Sequence, residues 1–504
     1  MPVHAAGLAS VIHEFVAALG DHRVVERFFA PGDQTLLSRD GCMVVGFGAV
    51  LSSVRTEPLA APIRLVQTHL REIGPDTCVV TAAFAGPTGR RGVMTLVWQL
   101  TDRGWRIVSA QVDTAGPPVD PAVWREVGTP LEPALGRGPL DRVGLALADV
   151  FSLAGHRIGV GTVSGLDAGI RAGVTAAPIT TLQQAGADVV GIARVDELAI
   201  ACGGANPHSG TPRNIRAPDR FPGGAMSGPV AAVTRGHADL AVGTDAGGSL
   251  RIPASYQGLY ALTTTPGAVG IDGLVPLCPT FDALGLAARD IDVIARAARV
   301  LMPDAGRRTV DEIVVPAELA GLADPDVVRA VDQAVERWDS TRLPIRVASR
   351  PLPDPESWVR LFRTIRGAEL AAAVGEWAED HWDELGPAAR SVLRHPATTD
   401  QVAAARADLV AARARISELV GGGVLVLPTT ASVAPSRDPG PGLAGRAEQR
   451  TAGLVGAAGV GGLPVVSIPL STRRRLPCGV SLVGPVGSDH ALVDLAAAVD
   501  RTGG

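Results

Sequence analysis

Apolar residues recur at helical spacing near the start of the chain, where Ile12, Phe15, Val16 and Leu19 share one face over residues 7–19. The period then shortens to that of strands. Runs at Cys42–Phe47, Ile63–Ile73, Thr77–Phe84, Gly92–Leu100 and Trp105–Val112 stand between Gly, Pro and Asp turn residues. They predict a small α+β sheet domain over residues 1–115. Residues 116–138 are rich in Pro and Gly and predict a linker. From 139 to 504 the pattern alternates strand, loop and helix. Val189–Ala193 reads as a buried strand after a helix around Thr181–Ala185. Asp290 is placed to cap a helix carrying Val293, Ile294, Ala297, Val300 and Leu301. Gln401–Val420 reads as a long amphipathic helix, and Val424–Pro428 and Val465–Pro469 as core strands. The expected architecture is an α/β sheet covered by helices. No short internal repeat is visible.

Composition narrows the function classes. Hydrophobic residues make up 46% and charged residues 19%, which suits a buried core and argues against disorder. The net charge is −5 and no basic stripe is present; Arg473–Arg475 reads as a solvated turn, so no nucleic-acid partner is expected. No apolar run reaches ~18 residues, and the N-terminus lacks a positive segment before its apolar residues. The expectation is a cytoplasmic protein with no membrane partner. Cys42, Cys78, Cys202, Cys278 and Cys478 are scattered, with no CxxC pair, so neither a disulfide framework nor a metal site is indicated. No cofactor is expected either. All 46 basic residues are Arg; the chain contains no lysine.

The candidate chemistry lies in GTDAGGSLRIP, residues 243–253. Ala246, Gly247 and Gly248 are small enough for consecutive backbone N–H groups to converge on one point, and Ser249 stands just beyond. A serine that attacks an amide needs a base for its proton and donors for the developing oxyanion; this loop can supply the donors. The segment, continued to Gly267 and through GLVPLCPTFDALG (273–285), resembles the nucleophile loop of the amidase signature family, and the resemblance runs over roughly 139–500. It implies an amidase signature fold with Ser249 as nucleophile and Ala246, Gly247 and Gly248 as oxyanion hole. The first ~115 residues resemble SnoaL-like domains, carried by DRGWRIVSAQV (102–112), and most closely the AtzH-like branch found beside amidases. That implies a small α+β NTF2-like cone with an apolar pocket, and it leaves a homodimer open.

The departures from the amidase pattern decide the chemistry. The family relays the nucleophile's proton through a second Ser, on a cis peptide bond, to a Lys. The cis-Ser position falls on Ala225, in the turn Pro222–Gly228; Met226 follows, and Ser227 comes two residues late. Met226 and Ser227 are expected as pocket residues. The catalytic Lys position falls on Ala148, before a retained Asp149, and two further family Lys positions fall on Ile192 and Thr263. Candidate replacement bases are His208, in the loop before the turn, and Asp149. Asp245 and Arg251 read as supports of the loop, and His237 as structural.

Two readings follow. One is a degenerate amidase that binds a small amide, urea-like or carboxylate ligand, or a partner, with little or no hydrolysis. The other is an active C–N hydrolase using Ser249 with a non-standard base. A weaker third reading places an active pocket within residues 1–115. Ligand specificity is expected within residues 305–420.

Overall fold

A computed structural model describes residues 3–19, 22–39, 42–56, 63–85, 91–113, 120–165, 171–303, 308–338, 344–349, 355–437 and 443–500. The chain divides into two compact units, Met1–Pro118 and Val119–Gly504.

The first unit holds helices α1 (Val3–Ala18), α2 (His22–Val25) and α3 (Phe47–Thr56). Its strands are β1 (Leu36–Arg39), β2 (Cys42–Val45), β3 (Arg64–Gly74), β4 (Thr77–Ala85), β5 (Arg91–Thr101) and β6 (Gly104–Asp113). They form one sheet in the order β2-β1-β6-β5-β4-β3, antiparallel except for β1 beside β6. In β4 every second residue is buried, as a half-buried strand requires. The core centres on Phe15, Phe28 and Trp98, whose rings meet edge to face with centroids 5.5–6.5 Å apart.

The second unit is built on an eleven-stranded mixed sheet. Its strands are β7 (Trp124–Glu132), β8 (Gly144–Ala148), β9 (Asp188–Ala193), β10 (Leu240–Thr244), β11 (Tyr260–Thr263), β12 (Leu284–Ala288), β13 (Ile313–Pro316), β14 (Ile345–Ala348), β15 (Val424–Pro428), β16 (Val465–Ser471) and β17 (Pro477–Val483). The order is β14-β13-β15-β17-β16-β11-β12-β10-β8-β9-β7. Strands β8, β10, β12 and β17 are buried along their whole length, and their residues are almost all apolar. The helices are α4 (Ala177–Gln184), α5 (Ser227–Thr234), α6 (Arg251–Gln257), α7 (Ile291–Leu301), α8 (Leu319–Leu322), α9 (Pro325–Arg337), α10 (Pro355–Asp380), α11 (Pro387–Leu393), α12 (Thr399–Val420), α13 (Leu443–Gly461) and α14 (Asp489–Asp500). The Asp290 side chain caps α7 by accepting the Asp292 N–H. Helices α10, α12 and α13 pack on one another.

One expectation needs correcting. The stretch 116–138, expected as a linker, contains β7, which pairs antiparallel with β9 at the edge of the large sheet. Its Glu, Pro and Arg residues suit an edge position and mask it as a strand in the sequence. Among the described residues no helix is long and apolar enough to cross a membrane.

Candidate functional site

The central strand β10 runs straight into the loop 245–249, and α6 follows. Gly248 has φ +94°, a backbone that favours glycine, and a Cβ there would meet the Val455 side chain of α13 at about 2.8 Å. Asp245 anchors the loop from within: its Oδ2 accepts from Arg251 Nε and from the Thr263 hydroxyl, each at 2.5 Å. Arg251 also donates to the Val455 carbonyl at 3.3 Å. Both charges are buried and paired. Asp245 and Arg251 thus brace the loop, and Thr263, expected at a family Lys position, donates its hydroxyl to the same carboxylate.

Ser249 is half-buried, and its Oγ donates to the Thr244 carbonyl at 2.7 Å. Among the described residues the N–H groups of Ala246, Gly247 and Gly248 donate to no protein acceptor. Ser249, Ala246 and Gly247 line a small cavity of about 40 Å³, together with Cys202, Cys278 and Arg366. Ala246 and Gly247 also form part of the wall of a larger cleft of about 1550 Å³. Gly248 is buried and lines neither cavity.

The positions that the resemblance assigns to the relay lie in the core. Ala148, Ala225 and Met226 are fully buried, and so is Ile192. Ala148 pairs with Ala193 at the ends of β8 and β9, and Leu147 with Ile192. Ala225 follows a cis peptide bond from Gly224. Its carbonyl accepts the Asp196 N–H at 2.9 Å, three residues beyond Ala193. Met226 and Ser227, expected as pocket residues, line neither cavity. Met226 packs against Gly243 of β10, and its N–H donates to the Ser249 carbonyl at 3.0 Å. Ser227 donates its hydroxyl to Asp196 at 2.9 Å. Both sit at the start of α5, whose buried, apolar sequence turns them into the core.

Neither candidate base makes a hydrogen bond to Ser249 among the described residues. His208 Nε2 sits 2.6 Å from Glu197 Oε1, and Glu197 also accepts from Gly386 N–H. Asp149 Oδ1 lies 2.9 Å from Arg125 Nε and accepts the Gly159 N–H at 2.8 Å. Burial pushes its carboxyl up to about 6, against the downward pull of Arg125. His237 is held below its ordinary value, to about 4, by burial and by Arg235.

Three features were not read from the sequence. Asp196 is fully buried, and burial pushes it up to about 7 against hydrogen bonds from Ser227 and Gly204. Gly224 leaves no room for a Cβ beside this carboxylate. The glycine-rich α13 backs the nucleophile loop, with Gly459 against the Ala246 carbonyl. Helix α10 supplies much of the cleft wall. The one available signal for Asp196 was an acidic residue just past a buried strand. Among the described residues no group of three or more His, Cys, Asp or Glu side chains is placed to hold a metal ion.

A family model described as Amidase matches residues 131–348. That segment belongs to the amidase family. The chain is 29% identical over 398 residues to Amidase 1 of Oryza sativa subsp. japonica, covering 72% of this chain and 91% of that protein. It is 28% identical over 400 residues to the chloroplastic Outer envelope protein 64 of Arabidopsis thaliana, covering 72% and 67%. A crystal structure of an amidase superposes with a TM-score of 0.65 at 24% identity, covering 73% of this chain and 86% of that one; it supports the fold alone. The amidase fold of the second unit therefore stands as the sequence implied.

Proposed function

We propose that this is a degenerate member of the amidase family, in which the Ser249 loop holds a carbonyl or carboxylate oxygen of an amide-, urea- or carboxylate-bearing ligand with little or no hydrolysis. The observation that carries the reading is the partner of the nucleophile. Ser249 Oγ donates its hydrogen bond to the Thr244 carbonyl, which is no base for its proton, and no lysine exists anywhere in the chain. Methyl groups stand at Ala148 and Ala225, where the resemblance places the relay. Without a base a serine hydroxyl is a weak nucleophile. The retained loop, with its unpaired N–H groups, supports binding. The six-stranded sheet and three helices of the first unit suit a SnoaL-like, AtzH-like domain.

Small amides, biuret-like compounds and carboxylated ureas should be turned over at no more than the ~10³–10⁴-fold over water that an oxyanion site alone supplies. Ala148→Lys with Ala225→Ser should raise turnover, and either alone should not, because relay members act as a unit. A wild-type kcat of about 1–10³ s⁻¹ on any of these compounds would overturn the reading. One observation favours a second reading, an active hydrolase with another base: Asp196, at about 7, is hydrogen-bonded to Ser227 beside the Ala225 turn. In that case Asp196→Asn abolishes the turnover found.

A further inference from the structure

The cleft that ends at Ala246 and Gly247 carries an uneven charge. Arg360, Arg363 and Arg366 project into it from α10, and Arg415 from α12; Asp408 and Glu448 are the carboxylates in its wall. The three α10 arginines recur at three-residue spacing, so they are neighbours on the helix surface. Among the described residues neither Arg363, Arg366 nor Arg415 makes an ion pair with a protein carboxylate, and Arg363 and Arg415 are exposed. Arg363 and Arg366, neighbours one turn apart, repel each other unless something anionic meets them. The innermost, Arg366, lines both the cleft and the small cavity that holds Ser249. It is held in place there: its Nη2 donates to the Ile200 carbonyl at 2.8 Å, and its guanidinium lies over the Phe362 ring at 5.5 Å. Its other guanidinium donors make no hydrogen bond to the described residues, the Asp282 carboxyl in the wall of the small cavity lies within its electrostatic reach, and a planar fork suits a carboxylate. Between the arginines the wall is apolar, with Trp358, Phe362, Ile252 and Val460. At about 1550 Å³ the cleft exceeds the ~300–1000 Å³ of an ordinary small-molecule pocket. A ligand the size of a simple amide would leave most of it to water.

We propose that the cleft takes an acidic ligand, an acyl compound with an apolar stem whose carboxylate is bound by Arg366 and guided inward by Arg363 and Arg360. This rests on the reading of the Ser249 loop as a ligand site. The specificity determinant is the α10 arginine row, with Arg366 as the positioning contact nearest the loop.

The test compares adipamate, an amide with a terminal carboxylate, and hexanamide, its uncharged counterpart, by calorimetric titration of the full chain. Adipamate should bind at least about tenfold more tightly, the gain of one charge-assisted hydrogen bond. The preference should shrink at high salt. Arg363→Gln together with Arg366→Gln should remove it, with hexanamide binding unchanged within about twofold. Arg363→Gln alone, on an exposed side chain, should lower it partly and serves if the double variant does not fold. Equal binding of the two compounds by the wild type would overturn the inference. If Ser249→Leu, which fills the small cavity, then still weakens both, the reading of the loop stands without it. If Ser249→Leu changes neither, that reading falls as well.

Discussion

On the proposed reading, Ser249 and Asp196 are what a lost relay leaves behind. The serine keeps its place between Thr244 and Met226, but its proton points at a carbonyl. Asp196 is buried, and among the described residues the Ser227 hydroxyl and the Gly204 N–H donate to its carboxylate. Burial raises its folded-state value to about 7, above the unfolded value near 4. Its contribution to stability is therefore complete below about 4 and is lost as pH rises through about 7. Relative to the wild type, Asp196→Asn should gain stability as pH goes from 4 to 7, by at most about 4 kcal/mol. Chemical denaturation of both proteins at several pH values checks this; a difference that stays flat across that range contradicts it. Of the residues around the proposed site, Ser249, Ala148 and Ala225 could be singled out in the sequence because a local motif or a fixed spacing marks them. Met226 and Ser227 were misplaced because spacing along a chain does not say which way a turn faces. Asp196 was not seen because its significance comes from burial, which a one-dimensional pattern does not carry.

The nucleophile loop depends on an element that propensity hides. Helix α13 contains several glycines, each costing roughly 1 kcal/mol of helix preference relative to Ala. Gly459 has a steric reason, because a Cβ there would run into the Ala246 carbonyl. Gly459→Ala should thus destabilise the protein by about 1–3 kcal/mol despite the better helix propensity of Ala, and should weaken adipamate binding by displacing Ala246. A Gly459→Ala variant as stable as the wild type in denaturant titration would show that α13 does not press on the loop. Strands β15 and β16 and helices α7 and α12 were legible because apolar runs, a capping Asp and a long amphipathic pattern are strong local signals. Helix α10 and strand β7 were not. The first mixes Arg with Ala and Trp on a face set by the cleft, and the second is an edge strand with the composition of a linker.

Each of the two units buries a core of its own. In the first, Trp98 is fully buried at the meeting point of Phe15 and Phe28. Trp98→Ala should cost that unit about 3–5 kcal/mol, read from the denaturant midpoint of its near-ultraviolet circular dichroism; a cost below about 1 kcal/mol would move the core elsewhere. In the second, we propose that the loop on the large sheet keeps the donors and nucleophile of an amidase while the relay positions, Ala148 and Ala225, have become core. That is the central claim, and reaction with a fluorophosphonate tests it without any need to know the ligand. An activated serine attacks the phosphorus through Oγ and expels fluoride, and its proton passes to the base that activates it. Intact-mass measurement should find the wild-type protein unmodified after exposure that labels a working serine hydrolase to completion, and Ala148→Lys/Ala225→Ser modified at Ser249. A stoichiometric phosphonyl adduct on Ser249 of the wild type would mean that a base reaches this hydroxyl after all, and would contradict the account.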